Sequence, residues 1–568
     1  MRISTLFFLL FSQSVSAQLF PPPTYPQGAL RNPLNIPMNL SGNFGELRPN
    51  HYHMGLDLKT NARENMPVHA AADGYIARIK IEPFGFGRAI YINHSNGYTT
   101  VYAHLNNFNT VLEKWVKQQQ YQKESWNVYL ELTPDQFPVK KGDFLAYSGN
   151  TGGSQAPHVH FEVRRTNGDV NLNPFLFGFP IPDHVRPRIL RLAVYDRTKS
   201  VYEQSPRILP VKALSASGYT TTPGVITVST PLVSFAVGAY DTHTGSSNQN
   251  GIYESILQVD GEDIVGFRMD NISYNDTRGL NAHIDYKTRA LGGPYLQHLS
   301  ELPGYVNSIY KQGAGNGVID ISDQKVHDIT VLVKDAVGNT SRLTYKVRYN
   351  GAAKAPAVNS GKLFYPMMME GYESEDCEFY IGERCLYDSV HIRHTRAPNN
   401  NPQVVSALHT IGASYIPLHE PFLVRIQPTR PLTEGEKART VMQWFSGSKK
   451  DVQKVEWQGN WASTRYRQLG NFQLVVDTTA PEIVPIGFTD GADLSRATRI
   501  AFTVQDNLAS IKNVRAELDG KWLRFTNDKG KTFIYHFDEM CLAGSHKLTI
   551  SAEDEAGNTT VKTYNFTR

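Results

Sequence analysis

A chain of 568 residues is longer than one hydrophobic core organises, and 40% hydrophobic with 19% charged side chains is a globular composition that excludes a disordered or collagen-like protein. The 44 glycines and 32 prolines fit many turns between short strands, so a mainly β protein of several domains is expected. A formal net charge of +4, with no basic run interleaved with aromatics, excludes nucleic acid as a natural partner.

In chain order, Arg2 precedes an apolar run from Ile3 to Phe11, and the small residues Val15, Ser16 and Ala17 offer a cut before Gln18. This reads as a secretory signal over 1–17, too short to cross a bilayer as a helix. No later stretch reaches the roughly 18 apolar residues of a transmembrane span, so the exported chain is expected to have none. Residues 18–40, opening Phe20-Pro21-Pro22-Pro23, read as an extended arm.

From 41 to 178 short β-rich runs alternate with Gly, Asn and Asp turns. The clearest hairpin pairs 88–93 with 98–104, where Asn96-Gly97 supplies the positive-φ pair of a two-residue turn. Within this stretch 110–125, with Val111, Leu112, Trp115 and Val116 among Glu, Lys and Gln, predicts an amphipathic helix packed over the sheet, either a structural insertion or a lid.

The later sequence contains a repeat. His327-Asp-Ile-Thr-Val-Leu-Val-Lys-Asp335-Ala-Val-Gly338-Asn339-Thr340 aligns without a gap to His546-Lys-Leu-Thr-Ile-Ser-Ala-Glu-Asp554-Glu-Ala-Gly557-Asn558-Thr559. Each copy predicts a strand, an Asp-x-x-Gly-Asn turn and a second strand, a hairpin of a β-sandwich, and these pieces resemble immunoglobulin-like modules. The expected modules are 179–350 and 478–568, with a β-rich middle domain over 351–477. Cys377 and Cys385 bracket seven residues and are either a disulfide-closed hairpin or two buried thiols, while Cys541 reads as core packing.

Four segments of 41–178 concentrate chemistry: His51-Tyr-His53-Met-Gly55-Leu-Asp57, Tyr102-Ala-His104-Leu105, Gly149-Asn-Thr-Gly152-Gly153 and His158-Val-His160-Phe-Glu162-Val163. In the last, polar and apolar residues alternate, so His158 and His160 share one face of a strand while Val159, Phe161 and Val163 face a core. Imidazole and carboxylate suit zinc, and three protein ligands leave a fourth position for water.

Together His53-x-Gly55-x-Asp57, Tyr102-Ala-His104-Leu105 and His158-x-His160 resemble the lysostaphin-type (LytM-like) zinc endopeptidases, and Gly142-Asp143, Gly149-Asn-Thr-Gly152 and Phe161-Glu162 fit the same order. The resemblance covers about 41–177. It implies an antiparallel β peptidase domain, one zinc ion on His53, Asp57 and His160, and His104 and His158 as catalytic histidines. Tyr102 and Gly152 are candidate substrate contacts, and His51 is an alternative ligand to His53. It further implies hydrolysis of peptidoglycan stem peptides or cross-bridges through a zinc-activated water, in a bacterial periplasm or envelope or outside the cell. Two other functions stay open: a non-catalytic regulator of wall hydrolases on the same fold, and an exported protease acting on proteins. The stretch 106–138 departs from the family by its length and would narrow or widen the groove. The C-terminal β domains offer protein or envelope contact, or act as spacers.

Overall fold

The computed structural model describes residues 19–352, 359–508, 511–530 and 532–568. The signal segment expected over 1–17 lies outside the described residues. The chain is nearly all β, with a first sheet followed by several further β-sheet bodies.

The first sheet runs, in spatial order, Leu40–Gly42, Leu56–Lys59, His158–Arg165, Tyr98–Ala103, Arg88–Asn93, Gly74–Ile81 and Val128–Glu131, every pair antiparallel. The alternation foreseen in the fourth segment is realised: Val159, Phe161 and Val163 are fully buried in a core with Tyr102, Leu112 and Val116. The predicted hairpin forms with Ile92 opposite Thr100 and Asn93 opposite Thr99. Its turn differs from the expected two-residue type. Only Gly97 has a positive φ (82°), and the His94 N–H donates to the Tyr98 carbonyl, so Gly97 closes a longer loop.

The predicted helix is Thr110–Gln122, started by Asn109, whose side chain accepts from Leu112 N. Such a cap contributes about 1 kcal/mol. Leu112, Val116 and Gln120, four apart, form its buried face, whereas Val111 is 72% exposed.

The repeat folds as two matching hairpins. His327–Lys334 pairs with Thr340–Tyr349, and Ser545–Asp554 with Thr559–Thr567, both antiparallel. Each second strand also takes a parallel neighbour, Gly218–Val228 in the first copy and Ala492–Asp493 in the second. Between the copies two five-stranded sheets enclose Phe379, Phe422 and Phe472. Cys377, Cys385 and Cys541 are all buried free thiols, the second of the two alternatives for Cys377 and Cys385, and Cys377 lies beside His394 and His409.

The bodies are interlocked. Tyr52 and Met54, flanking His53, pack into the core that contains Phe235, Phe267 and Val331. The arm crosses the same joint, with Tyr25 stacked on Phe177 at 4.7 Å and its hydroxyl donating to Asp270 Oδ2 at 2.7 Å. The C-terminal body returns to the first sheet: Lys117 pairs with Asp538 and Glu539, both at 2.7 Å, and Arg515 with Glu124 at 2.7 Å.

That second core sets an acid limit. His283 is fully buried, and burial pushes its imidazole from 6.5 down to about 3; burial also lowers His298. The unfolded chain takes up protons on these rings where the folded chain does not. Their contribution to stability is therefore complete above pH 6.5 and is lost as pH falls toward 3. Denaturant unfolding at stepped pH is expected to show stability falling below pH 6.5 with a slope of up to about 1.4 kcal/mol per pH unit per histidine; a flat profile would contradict it.

Candidate metal centre and cleft

Three neighbouring segments bring the predicted donors to one point. Asp57 lies on Leu56–Lys59 directly opposite His160 on His158–Arg165, and His53 sits just beyond His51–Tyr52. His53 Nε2 is 2.9 Å from Asp57 Oδ1 and 3.0 Å from His160 Nδ1, and His160 Nδ1 is 3.0 Å from Asp57 Oδ1. All three residues are buried. Gly55 is required for this approach, because a Cβ there would lie 2.5 Å from the Phe161 carbonyl oxygen.

The outward side of each imidazole is tied to an acceptor. His53 Nδ1 donates to the Asn43 carbonyl at 2.7 Å, and His160 Nε2 donates to Glu162 Oε1 at 2.9 Å. Each ring therefore presents a lone pair inward beside a carboxylate oxygen, the donor set that suits a zinc-class ion. His51 is not part of it: the ring is at the rim, with Nδ1 donating to the Pro49 carbonyl.

His104 and His158 stand beside the trio. Their rings are 4.7 Å apart, and His158 Nε2 is 3.3 Å from Asp57 Oδ1. His104 Nδ1 donates to the Thr151 carbonyl and His158 Nδ1 to the Ala156 carbonyl, leaving both Nε2 atoms as acceptors. Burial, then the nearby His158 and His160, push His104 down to about 3.

Tyr102 is corrected. Ala103 lies opposite His160 on the cleft face, and Tyr102 lies opposite Phe161 on the core face, fully buried. His104 has a φ of +59°, which breaks the strand's alternation and turns the imidazole to the cleft while Tyr102 stays inside. Gly152 is also set back from the cleft lining: at φ +66° it packs on Gly87, where a Cβ would meet the backbone nitrogen at 2.2 Å, and Gly153 takes the wall position.

Sequence reasoning missed the support around the donors. Arg48 Nη2 lies 3.2 Å from Asp57 Oδ2. Glu162 is fully buried; against that burial, Arg164 chiefly, then His160 and Tyr274, hold its carboxyl down at about 2. Glu162 was legible as the next residue on the face of His158 and His160. Tyr274, whose hydroxyl donates to Glu162 Oε1 at 2.6 Å, comes from 112 residues downstream and leaves no local signal.

The cleft has a volume of about 760 Å³ and is walled by Arg48 and His51 on one side and by Phe86, Gly153, Ser154 and Gln155 on the other. No residue of 106–138 lines it; the helix of this stretch packs into the core of the first sheet through Leu112 and Val116. The wall loop is held from behind by Lys529, whose Nζ donates to the Ser154 carbonyl at 2.6 Å.

Residues 51–121 match peptidase family M23, and residues 362–477 match the Zu5-like domain. Over 131 residues the chain is 33% identical to the DD-carboxypeptidase/endopeptidase Mpg of Neisseria meningitidis serogroup B (strain ATCC 13091 / M2091), covering 23% of this chain and 24% of that protein. Over 157 residues it is 30% identical to the peptidoglycan DD-endopeptidase ShyC of Vibrio cholerae serotype O1, covering 27% and 30%. The catalytic domain of the antimicrobial peptidase lysostaphin from Staphylococcus simulans is 24% identical, with 24% of this chain and 88% of that chain covered and a TM-score of 0.18. The chain thus spans about a quarter of the length of the first of these relatives. On the sequence matches, this chain carries a peptidase family M23 domain at residues 51–121, followed by further β-sheet domains.

Proposed function

We propose that the chain is an exported zinc metalloendopeptidase that hydrolyses peptide bonds in peptidoglycan stem peptides or cross-bridges, working in the periplasm or cell envelope. The observation that carries this reading is the convergence of the His53, Asp57 and His160 donor atoms on the floor of an open cleft, with His104 and His158 at its side. In this reading residues 41–178 are the peptidase domain, and the bodies over 179–350, 351–477 and 478–568 brace it and meet the envelope.

His53, Asp57 and His160 would hold the zinc ion, which when bound would supply Lewis acidity toward a substrate carbonyl and water. The chain's own residues do the rest. With their Nδ1 protons committed to Thr151 and Ala156, His104 and His158 offer Nε2 lone pairs that take a proton from the attacking water and return it to the leaving amine. Glu162 and the Asn43 carbonyl fix the His160 and His53 rings, so these donors pay no reorientation cost during turnover.

Purified peptidoglycan offered to the zinc-loaded protein is expected to release wall peptides, while denatured casein is left intact. His158→Ala is expected to keep its zinc and lose about 10² to 10⁴ in rate, the usual worth of one general acid-base group. Casein cleavage without wall cleavage would move the reading to a protein-directed protease, and an inert protein with full zinc content would move it to a regulator.

A further inference from the structure

Outside the cleft the chain builds one carboxylate cluster twice. One ligand oxygen each of Asp183, Asp241 and Asp335 lie within 4.8 Å of one another, and the same holds for Asp477, Asp506 and Asp554. The two sets occupy equivalent places. Asp183 and Asp477 each open an Asp-x-x-x-Pro entry segment ending at Pro187 and Pro481. Asp241 follows the strand Leu232–Tyr240 and Asp506 follows Arg499–Gln505. Asp335 and Asp554 head the two Asp-x-x-Gly-Asn turns.

The local bonding is repeated as well. Asp335 Oδ1 accepts from Asn339 N at 2.8 Å and Oδ2 from Asn339 Nδ2 at 2.7 Å; for Asp554 and Asn558 the distances are 2.8 and 2.9 Å. Asp183 Oδ1 accepts from Val185 N, and Asp477 Oδ1 from Thr479 N, each at 3.0 Å.

These bonds leave acceptors over. Asp241 Oδ1 and Asp477 Oδ2 are buried with no hydrogen-bond partner, in residues only 5% and 1% exposed, and both carboxylates belong to the converging sets. Among the described residues no lysine or arginine pairs with Asp183, Asp241 or Asp335. Burial, then Asp335 and Asp183, push the Asp241 carboxyl up to about 8. Three carboxylates this close cannot all stay charged without a counter-ion. Oxygen-only donors are the chemistry of hard divalent cations, and calcium accepts the irregular shell that loops provide.

We propose that each cluster is a calcium site and that the two ions pin the segment entering each repeated module to the module's body. Asp183 and Asp477 come from the entry segments, and the other two carboxylates of each set come from the body, so one ion ties both together. The sites differ in kind from the cleft, whose donors include two imidazoles.

The test is calorimetric titration of CaCl₂ into the full chain, loaded with one equivalent of zinc in metal-stripped buffer. Two equivalents of calcium are expected for the wild type, one for Asp241→Asn, one for Asp506→Asn and none for the double variant. The calcium-induced rise in Tm seen in the wild type should vanish in the double variant. Calcium-free Asp241→Asn should melt no lower than the calcium-free wild type, because a repelling charge is gone, and this separates loss of a ligand from loss of the fold. The proposal fails if the folded wild type binds no calcium, if the double variant still takes two equivalents, or if magnesium binds where calcium does not.

Discussion

His160→Ala is expected to abolish both bound zinc and wall-peptide cleavage while leaving the fold in place. Its Nδ1 is 3.0 Å from both Asp57 Oδ1 and His53 Nε2, so the truncation removes one of three donors from the centre. A bound metal supplies several kcal/mol of transition-state stabilisation, which corresponds to a rate loss of about 10³-fold or more. The fold survives because Glu162 keeps Arg164, Asn171 and Tyr274 as partners. Zinc by elemental analysis and released wall peptides are the measurements. The contrast with His158→Ala is the informative part, since that variant should fail in rate while keeping its zinc.

Glu162→Ala has the second large effect, through stability as well as metal affinity. Its Oε1 accepts from His160 and Tyr274 and its Oε2 from Arg164 and Asn171, all in the interior. Removing it leaves Arg164, 3% exposed, with the rings of Tyr91 and Tyr274 and, as its remaining carboxylate, the partly exposed Asp169. Breaking a buried pair in this way costs about 3 to 5 kcal/mol. Freed of its anchor, the His160 ring should also hold metal about 10 to 100 times more weakly. Thermal melting and a competitive zinc titration measure the two effects separately, and Glu162→Gln, which keeps acceptors for Tyr274 and His160, should lose less on both counts.

The set of residues meant to face a common ion came from the family resemblance, and two local rules explain why it holds together. Strand alternation put His158 and His160 on one face, and the His53-x-Gly55-x-Asp57 spacing reflects a glycine that lets one strand run close to its neighbour. Tyr102 shows where alternation fails: one left-handed residue, His104, reverses the parity that would have placed both on the same side. The hairpins of the repeat were legible from their Asp-x-x-Gly-Asn turns, and the helix from its four-residue apolar spacing. Spacing left Cys377 and Cys385 open between a disulfide and two buried thiols, since it says nothing about where two sulfurs point, and the structure has the buried thiols.

What the sequence hid is long-range. Tyr52 and Met54 alternate with His53 and bury themselves in the following body, so the metal segment is clamped from a core that starts more than a hundred residues later. Tyr274 reaches back to Glu162, and Lys529 to the Ser154 carbonyl behind the cleft wall. The later bodies are thus part of the site's support rather than passengers, which no local pattern announces.

X-ray absorption at the zinc edge on protein carrying one equivalent of zinc tests the centre most directly, because the chain offers a rival donor group in Cys377, His394 and His409. A shell of nitrogen and oxygen at about 2.0 to 2.1 Å with the outer scattering of two imidazoles, lost in Asp57→Asn, is the predicted result. A sulfur contribution at about 2.3 Å that survives that substitution would contradict it.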